Sequence, residues 1–490
     1  MEKIKRFFFK NNNIKQTLIK NTVWVGVSSV FSKIVRALVI IYAARVLGVD
    51  SYGIYTYAAG IIAVFAVLSD MGISSIAVRE ISKNKDTEKN VYATSFIIKL
   101  LFLSLMVILC ILIGPYLLKY PESRSLIPLF VSTIAIESLR SFLYVFARAK
   151  NNIQHESINS MINEICCTLL ILLIFISNPT PKTLILSLFL GNTAGLLVAF
   201  IHTRKSIFYV FRHIKKDLIK PLVRLTAPFA ILSILGIFMT NIDAVIIGIL
   251  GDRTMLGLFG SAQKLISVMY ILPGFMSTSL LPILSGLISK KDTDTIKRIL
   301  QVSSQTLFMV AIPIICGGIL LSKDILVFLY GAQYVEATTV FQLLLVTLLW
   351  VFPGTLFAEI IIAENKQSVF LKTGIIGALI NIVLDVILIP KYGINGSAVA
   401  TIIAQAVVNT LFYLEVKKIY KDMTIPRITN LLIPSILMML AIFILRIFKI
   451  HVIITIIVSG LIYVSYLYFT KNKTLNYYIG IFRKKNTLNQ

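Results

Sequence analysis

The chain has 490 residues, 57% of them hydrophobic, with a mean hydropathy of +0.86 and a formal net charge of +26. That composition excludes a soluble globular protein. The charge does not form a nucleic-acid footprint either, because the basic residues sit between long apolar runs instead of in one patch.

The start, MEKIKRFFFKNNNIK, is basic, and no signal-peptidase-like site follows the first apolar run. Residues 1–21 are therefore expected to form a cytoplasmic tail ahead of a retained helix. A bilayer crossing needs about 20 predominantly apolar residues. On that criterion spans fall near 22–47, 52–73, 92–118, 126–147, 158–178 and 183–203. A basic connector, RKSIFYVFRHIKKDLIKPLVR (204–224), follows and is expected to lie on the inner leaflet as an amphipathic segment. Further spans fall near 226–250, 255–288, 300–321, 337–363, 369–389, 394–416, 429–446 and 451–470, with a second basic tail over 471–490. The expectation is an all-α polytopic membrane protein of about 14 helices.

An even number of crossings puts both termini on one side. The tails and alternate loops on that side hold about 34 Lys and Arg, against about 9 on the other. Both termini are thus expected in the cytoplasm, with the chain a multi-pass protein of the cell membrane. An internal repeat agrees: RVLGVDSYGIYTYAAGI (45–61) has a counterpart in GILGDRTMLGLFGSAQKLI (248–266). Six-helix lobes over 22–203 and 225–418 follow as parallel pseudo-twofold repeats, with two helices added over 427–470.

Ionisable residues inside the spans carry the functional argument, because charge in hydrocarbon is expensive. Lys33 and Arg36 lie three apart near the middle of the first span and share a face. Lys264 lies in the eighth span, ahead of a helix-breaking Pro273. Arg140 shares a face with Glu137, and an intrahelical ion pair is the plainer reading there. Lys99 is close enough to a helix end to snorkel. Lys33, Arg36, Arg140 and Lys264 are the candidate lining of a cavity for an anionic ligand such as a pyrophosphate, since Arg binds phosphate oxygens bidentately and Lys as a point charge. Asp70, Arg79 and Glu80 are expected in ion pairs at a cytoplasmic helix end, and Glu164 and Glu359 in pairs or hydrogen bonds within their lobes.

A second cluster lies in NIVLDVILIPKYGINGSAVAT (381–401). Asn381 and Asp385 are four apart on one helix, and Ser397 and Thr401 are four apart on the next, across a short turn. Asp243 falls at a similar depth in the seventh span. Oxygen donors converging in hydrocarbon suit Na⁺ or a proton; the alternative is that Asn, Ser and Thr merely bond neighbouring helices. The chain has no GxxxxGK[ST] for ATP, and its four histidines lack metal-ligand spacing. The four cysteines all fall in apolar spans, so neither an enzyme nor a disulfide framework is expected.

Four stretches in order, ARVLGVDSYGIYTYA, SDMGISSIAVREI, NIDAVIIGILGDRTMLGLFGSAQKL and NIVLDVILIPKYGINGSAVAT, resemble the polysaccharide (O-antigen-type) flippases of the multidrug/oligosaccharidyl-lipid/polysaccharide exporter superfamily. The resemblance implies a flippase that moves polyprenyl-pyrophosphate-linked oligosaccharide to the outer leaflet by cation-coupled alternating access. It implies Na⁺ or H⁺ as coupling ion and no cofactor. Asp243, Asn381, Asp385 and Thr401 would hold Na⁺, with Ser397 giving a backbone carbonyl. Membrane lipids and the glycosyltransferases or polymerase of the same pathway are the implied partners, and a monomer is expected. An Arg-Asp pair found in lipid II flippases near Val39-Ile40 is absent, which argues against lipid II as substrate. A cation-coupled multidrug exporter of the same fold, a lipid II-type peptidoglycan precursor flippase and a non-transporting scaffold for glycan assembly are the alternatives.

Overall fold

A computed structural model describes residues 14–84, 86–210, 212–421, 423–424 and 428–470. The expected basic tails therefore lie largely outside the described residues. Every element is helical and no strand occurs among the described residues, as the bilayer demands of chains that cannot hydrogen-bond to solvent. Two compact units emerge, residues 1–260 and 261–490.

The first unit holds α1 (Ile14–Ala66), α2 (Ile73–Lys83), α3 (Glu88–Leu117), α4 (Ile127–Leu143), α5 (Gln154–Leu170), α6 (Pro181–Ile207) and α7 (Ile219–Leu250), followed by the start of α8 (Arg253–Met269). The second holds the rest of α8, then α9 (Ile271–Ser289), α10 (Thr293–Tyr330), α11 (Thr338–Val346), α12 (Leu348–Ala363), α13 (Gln367–Ile419), α14 (Leu432–Ile447) and α15 (Val452–Phe469). The expected single span over 255–288 is broken at Tyr270, which leaves Pro273 in the first turn of α9, where a missing N–H costs least.

Among the described residues eleven helices are long and apolar enough to cross a membrane, or twelve with the bent pair at 332–363, against the fourteen or so expected. The difference sits in α1 and α13, each 53 residues long. A straight helix of that length would reach about 80 Å, far beyond one bilayer. Each is interrupted by a glycine outside helical geometry, Gly48 (φ 78°, ψ 169°) and Gly393 (φ 55°, ψ −139°). Gly393 occupies backbone space that side chains with a Cβ avoid. The chain folds back there: a Cβ on Gly396 would sit 2.4 Å from the carbonyl oxygen of Leu388.

Many large apolar side chains face outward, and small and polar ones are frequent among the buried. On α3, Leu101, Ile108 and Leu112 are exposed, whereas Ala93, Thr94, Ser95 and Cys110 are buried. Helix association in lipid depends on close approach of small residues, because lipid tails are as apolar as leucine. In the first unit α5 packs along α6 and along α1, and α4 along α6. The two sequence repeats also meet within it. A Cβ on Gly53 would fall 1.8 Å from the Arg253 carbonyl oxygen, and one on Gly257 would fall 2.1 Å from that of Val49. Thr254 Oγ1 donates to Asp50 at 2.6 Å beside this contact. In the second unit α12 packs against α13, α10 and α9, and α14 against α15 and α10.

One expectation is overturned in this framework. Lys99 does not snorkel: its side chain is 1% exposed and its Nζ lies 2.6 Å from Asp70 Oδ1, with Ser74 donating to the same carboxylate. The apolar face of α2 (Ile73, Ile76, Ala77, Ile81) closes over α3 with Phe142, Val145 and Phe146, and so keeps the ammonium from the surface. Arg79, Glu80 and Lys83 pair at the exposed end of α2, as expected. Lys99→Met is expected to lower the thermal stability of the purified protein by about 1–3 kcal/mol, because the half-exposed Asp70 loses its counter-ion. The double variant Lys99→Met, Asp70→Asn is expected to recover most of that loss. Equal melting temperatures for Lys99→Met and the parent would contradict the assignment.

Candidate functional site

Three of the four cations proposed from the sequence converge in the first unit. A cavity of about 260 Å³ is lined by Ser28, Ser29, Ser32, Lys33 and Arg36 of α1, Glu137 and Arg140 of α4, and Ser160 and Glu164 of α5. Spacing explains the α1 contribution, since Ser28, Ser32 and Arg36 recur every four residues and Ser29 and Lys33 flank them on one helix face. The i, i+4 register of Ser28 and Ser32 with Arg36 is a signal the sequence carries for this lining. Lys264 belongs to the second unit and is half-buried on α8.

The cations are held quite differently from one another. Arg36 meets Glu164 through two nitrogens, Nη2 to Oε1 at 2.7 Å and Nε to Oε2 at 3.3 Å, and meets Glu137 Oε1 through Nη1 at 3.4 Å. The fork geometry of guanidinium on carboxylate explains the double contact. Glu164 is 8% exposed, whereas Arg36 and Glu137 reach the cavity at 34% and 41%. The intrahelical Arg140–Glu137 pair is not formed. Arg140 reaches across to α5, where Nη1 donates to Asn159 Oδ1 at 3.0 Å. Asn159 in turn donates to the Gly195 carbonyl of α6 at 3.0 Å. The reason is competition: Glu137 faces Arg36 of α1, and a buried amide on α5 offers Arg140 an acceptor. Lys33 is exposed and has no ion-pair partner among the described residues. Three cations against two carboxylates leave the cavity net positive by one.

The proposed cation donors divide between the units. Asp243, on α7, is 2% exposed within the first. The other four lie on the two arms of α13 in the second: Asn381 (6% exposed) and Asp385 (0%) before the Gly393 reversal, Ser397 (0%) and the half-buried Thr401 after it. The Gly396–Leu388 contact brings the arms together one residue before Ser397 and one turn beyond Asp385. The Ser397 carbonyl, expected to face a cation, accepts the Thr401 hydroxyl at 3.0 Å. Asn381 Nδ2 and Ser397 Oγ are buried without a hydrogen-bond partner among the described residues. Buried polar groups of that kind are costly when unsatisfied. The donor set is all oxygen with a single carboxylate on α13, a chemistry that fits a hard monovalent cation. No group of three or more His, Cys, Asp or Glu able to hold a metal occurs among the described residues.

A helical, multi-pass membrane protein with polar groups buried at span depth defines the class. Comparison of folds narrows it. The structure is similar to that of "Lipid II flippase MurJ, inward closed conformation" (TM-score 0.71, 19% identity, 92% of this chain and 99% of that one). It is also similar to the inward-facing conformation of a multidrug resistance MATE family transporter (TM-score 0.64, 16% identity, 80% and 95%). The chain belongs to the polysaccharide biosynthesis protein family, which it matches over residues 18–288. Residues 228–387 also match the MatE family. Relatives include "Capsular polysaccharide biosynthesis protein CapF" of Staphylococcus aureus, 22% identical over 412 residues (82% of this chain, all of that one). Another is "Probable low-salt glycan biosynthesis flippase Agl15" of Haloferax volcanii, 21% identical over 396 residues (81% and 82%).

Proposed function

We propose that this protein is a flippase that carries polyprenyl-pyrophosphate-linked oligosaccharide from the inner to the outer leaflet of the cell membrane, by cation-coupled alternating access of the two lobes 22–203 and 225–418. It is a carrier and not an enzyme, and its termini face the cytoplasm. The observation that supports this reading best is the convergence of Lys33, Arg36 and Arg140 on one serine-lined cavity within the membrane-spanning helices. Moving a charged glycan head group through bare hydrocarbon would strip its water without replacement. A net-positive, hydroxyl-lined chamber supplies both countercharge and hydrogen bonds. In this reading Lys33 and Arg36 are the main contacts to pyrophosphate oxygens, with Arg140 and Lys264 as further basic contacts. A Na⁺ or proton at Asp243, Asn381, Asp385, Ser397 and Thr401 biases which lobe arrangement is stable.

A second reading, a multidrug exporter of the same fold, is favoured by one feature: Glu137, 41% exposed, presents a carboxylate to the cavity that a cationic drug could meet. Purified full-length protein in vesicles separates the two. Accelerated passage of a fluorescent polyprenyl-pyrophosphate glycan across the bilayer is expected, with no efflux of cationic dyes. Dye efflux without glycan passage would overturn the flippase assignment.

A further inference from the structure

The second unit contains a larger cavity that the transport mechanism does not use. It lies at the end of α13 away from the Gly393 reversal and measures about 600 Å³. Because α13 folds back on itself, residues 369–376 at its start and 411–421 at its finish meet at one end. Val369, Thr373 and Ile376 recur at i, i+4 and i+7 on the first arm, and Leu411 and Leu414 face them from the second. Phe370 stacks on Phe412 with ring centroids 5.4 Å apart and 15° between planes, which ties the arms together beside the cavity. The walls are therefore apolar, and Ile376 and Leu414 remain 43% and 45% exposed.

The rim is basic. Lys417, Lys418 and Lys421 line the cavity together with Glu415. Glu415 is already engaged, by Lys366 at 2.9 Å and Lys418 at 3.2 Å. Lys417 and Lys421 have no ion-pair partner among the described residues. Lys417 also complements the carboxyl end of α13, but Lys421 lies two residues beyond that end and still borders the same cavity. An apolar trough that opens under two uncompensated ammonium groups, at one end of two membrane helices, matches the shape and charge of a single amphiphile.

We propose that this cavity is a binding site for an anionic phospholipid of the surrounding leaflet. One acyl chain lies along Val369, Ile376, Leu411 and Leu414, and the headgroup phosphate sits between Lys417 and Lys421. Juxtamembrane lysines draw anionic lipid electrostatically, and a zwitterionic lipid gains no net attraction from the rim. The assignment is independent of what the first-unit cavity carries.

The test uses the full-length protein, delipidated in detergent and equilibrated with equal amounts of phosphatidylglycerol and phosphatidylcholine, with retained lipid read by native mass spectrometry. Phosphatidylglycerol is expected to be retained about tenfold over phosphatidylcholine. Lys417→Gln with Lys421→Gln should bring the ratio close to one, and Lys417→Arg with Lys421→Arg should keep it. Leu414→Trp, which fills the trough and leaves the rim charge intact, should reduce retention of phosphatidylglycerol. Equal retention of the two lipids by the parent, or a preference unchanged in the glutamine variant, would overturn the proposal. Displacement of phosphatidylglycerol by equimolar polyprenyl phosphate would overturn it too, in favour of the tail of the transported lipid.

Discussion

Arg36→Ala is expected to abolish glycan passage and to weaken the fold, and the two effects separate genetically. In the parent, Glu164 is 8% exposed and receives two bonds from Arg36. Truncating the arginine leaves that carboxylate buried with its charge uncompensated, a situation that costs about 3–5 kcal/mol in a dry core. Arg36 itself is 34% exposed to a wet cavity, so about 1–3 kcal/mol is expected. The double variant Arg36→Ala, Glu164→Gln removes the stranded charge and should restore the melting temperature. Transport should stay absent in both, because a charge-assisted contact of roughly 2 kcal/mol corresponds to at least about thirtyfold in affinity for an anionic head group. Arg36→Lys should keep stability better than it keeps flux, since an ammonium cannot form the fork. Flux across vesicles and thermal melts of the same preparations read the two quantities. Normal glycan flux in the double variant would remove Arg36 from the substrate path.

The second large effect is expected at Asp385. Asp385→Asn keeps the volume of a fully buried side chain and removes its charge. If the α13 cluster holds the coupling ion, Na⁺ at ten times its dissociation constant should stabilise the parent by about 1.4 kcal/mol over choline. The same addition should leave Asp385→Asn unmoved. Glycan flux in the variant should lose its dependence on the ion gradient while the protein remains folded. A parent insensitive to Na⁺ and sensitive to a proton gradient would make the ion H⁺. Full ion-dependent flux in Asp385→Asn would remove the residue from coupling.

Much of this architecture was legible because hydrocarbon imposes simple rules on sequence. Apolar runs of bilayer length read as helices, and all of those expected are helical. The face shared by Lys33 and Arg36 followed from a spacing of three, and both border one cavity. The reversals were legible too, because the expected span ends at 47 and 52 and at 389 and 394 bracket Gly48 and Gly393. At the second, helix runs up to Gly393 on both sides, so a single glycine makes the short turn expected between the two spans. The four serines that give the cavity its hydroxyls stand out less, because serine in a span is common and only the i, i+4 register of Ser28 and Ser32 with Arg36 marks any of them.

Partner choice was the main casualty. Arg140 and Glu137 sit three apart on one helix, and local spacing favoured their pairing. Tertiary placement offered each a better partner, Arg36 of the neighbouring α1 for Glu137 and Asn159, within reach on α5, for Arg140. Position near a helix end predicts snorkelling for Lys99, whereas packing seals it against Asp70.

By itself, the sequence determined that this chain is a membrane-spanning helical protein, which residues share helix faces, and where charge is kept at bilayer depth. Those properties are set by composition and by the 3.6-residue period. Only the tertiary structure decided that Arg36 is clasped by Glu164, 128 residues away, that Asn159 and not Glu137 holds Arg140, and that the arms of α13 enclose a lysine-rimmed trough. Each of those depends on which helices lie side by side, a matter of packing between surfaces that no periodicity along one helix encodes.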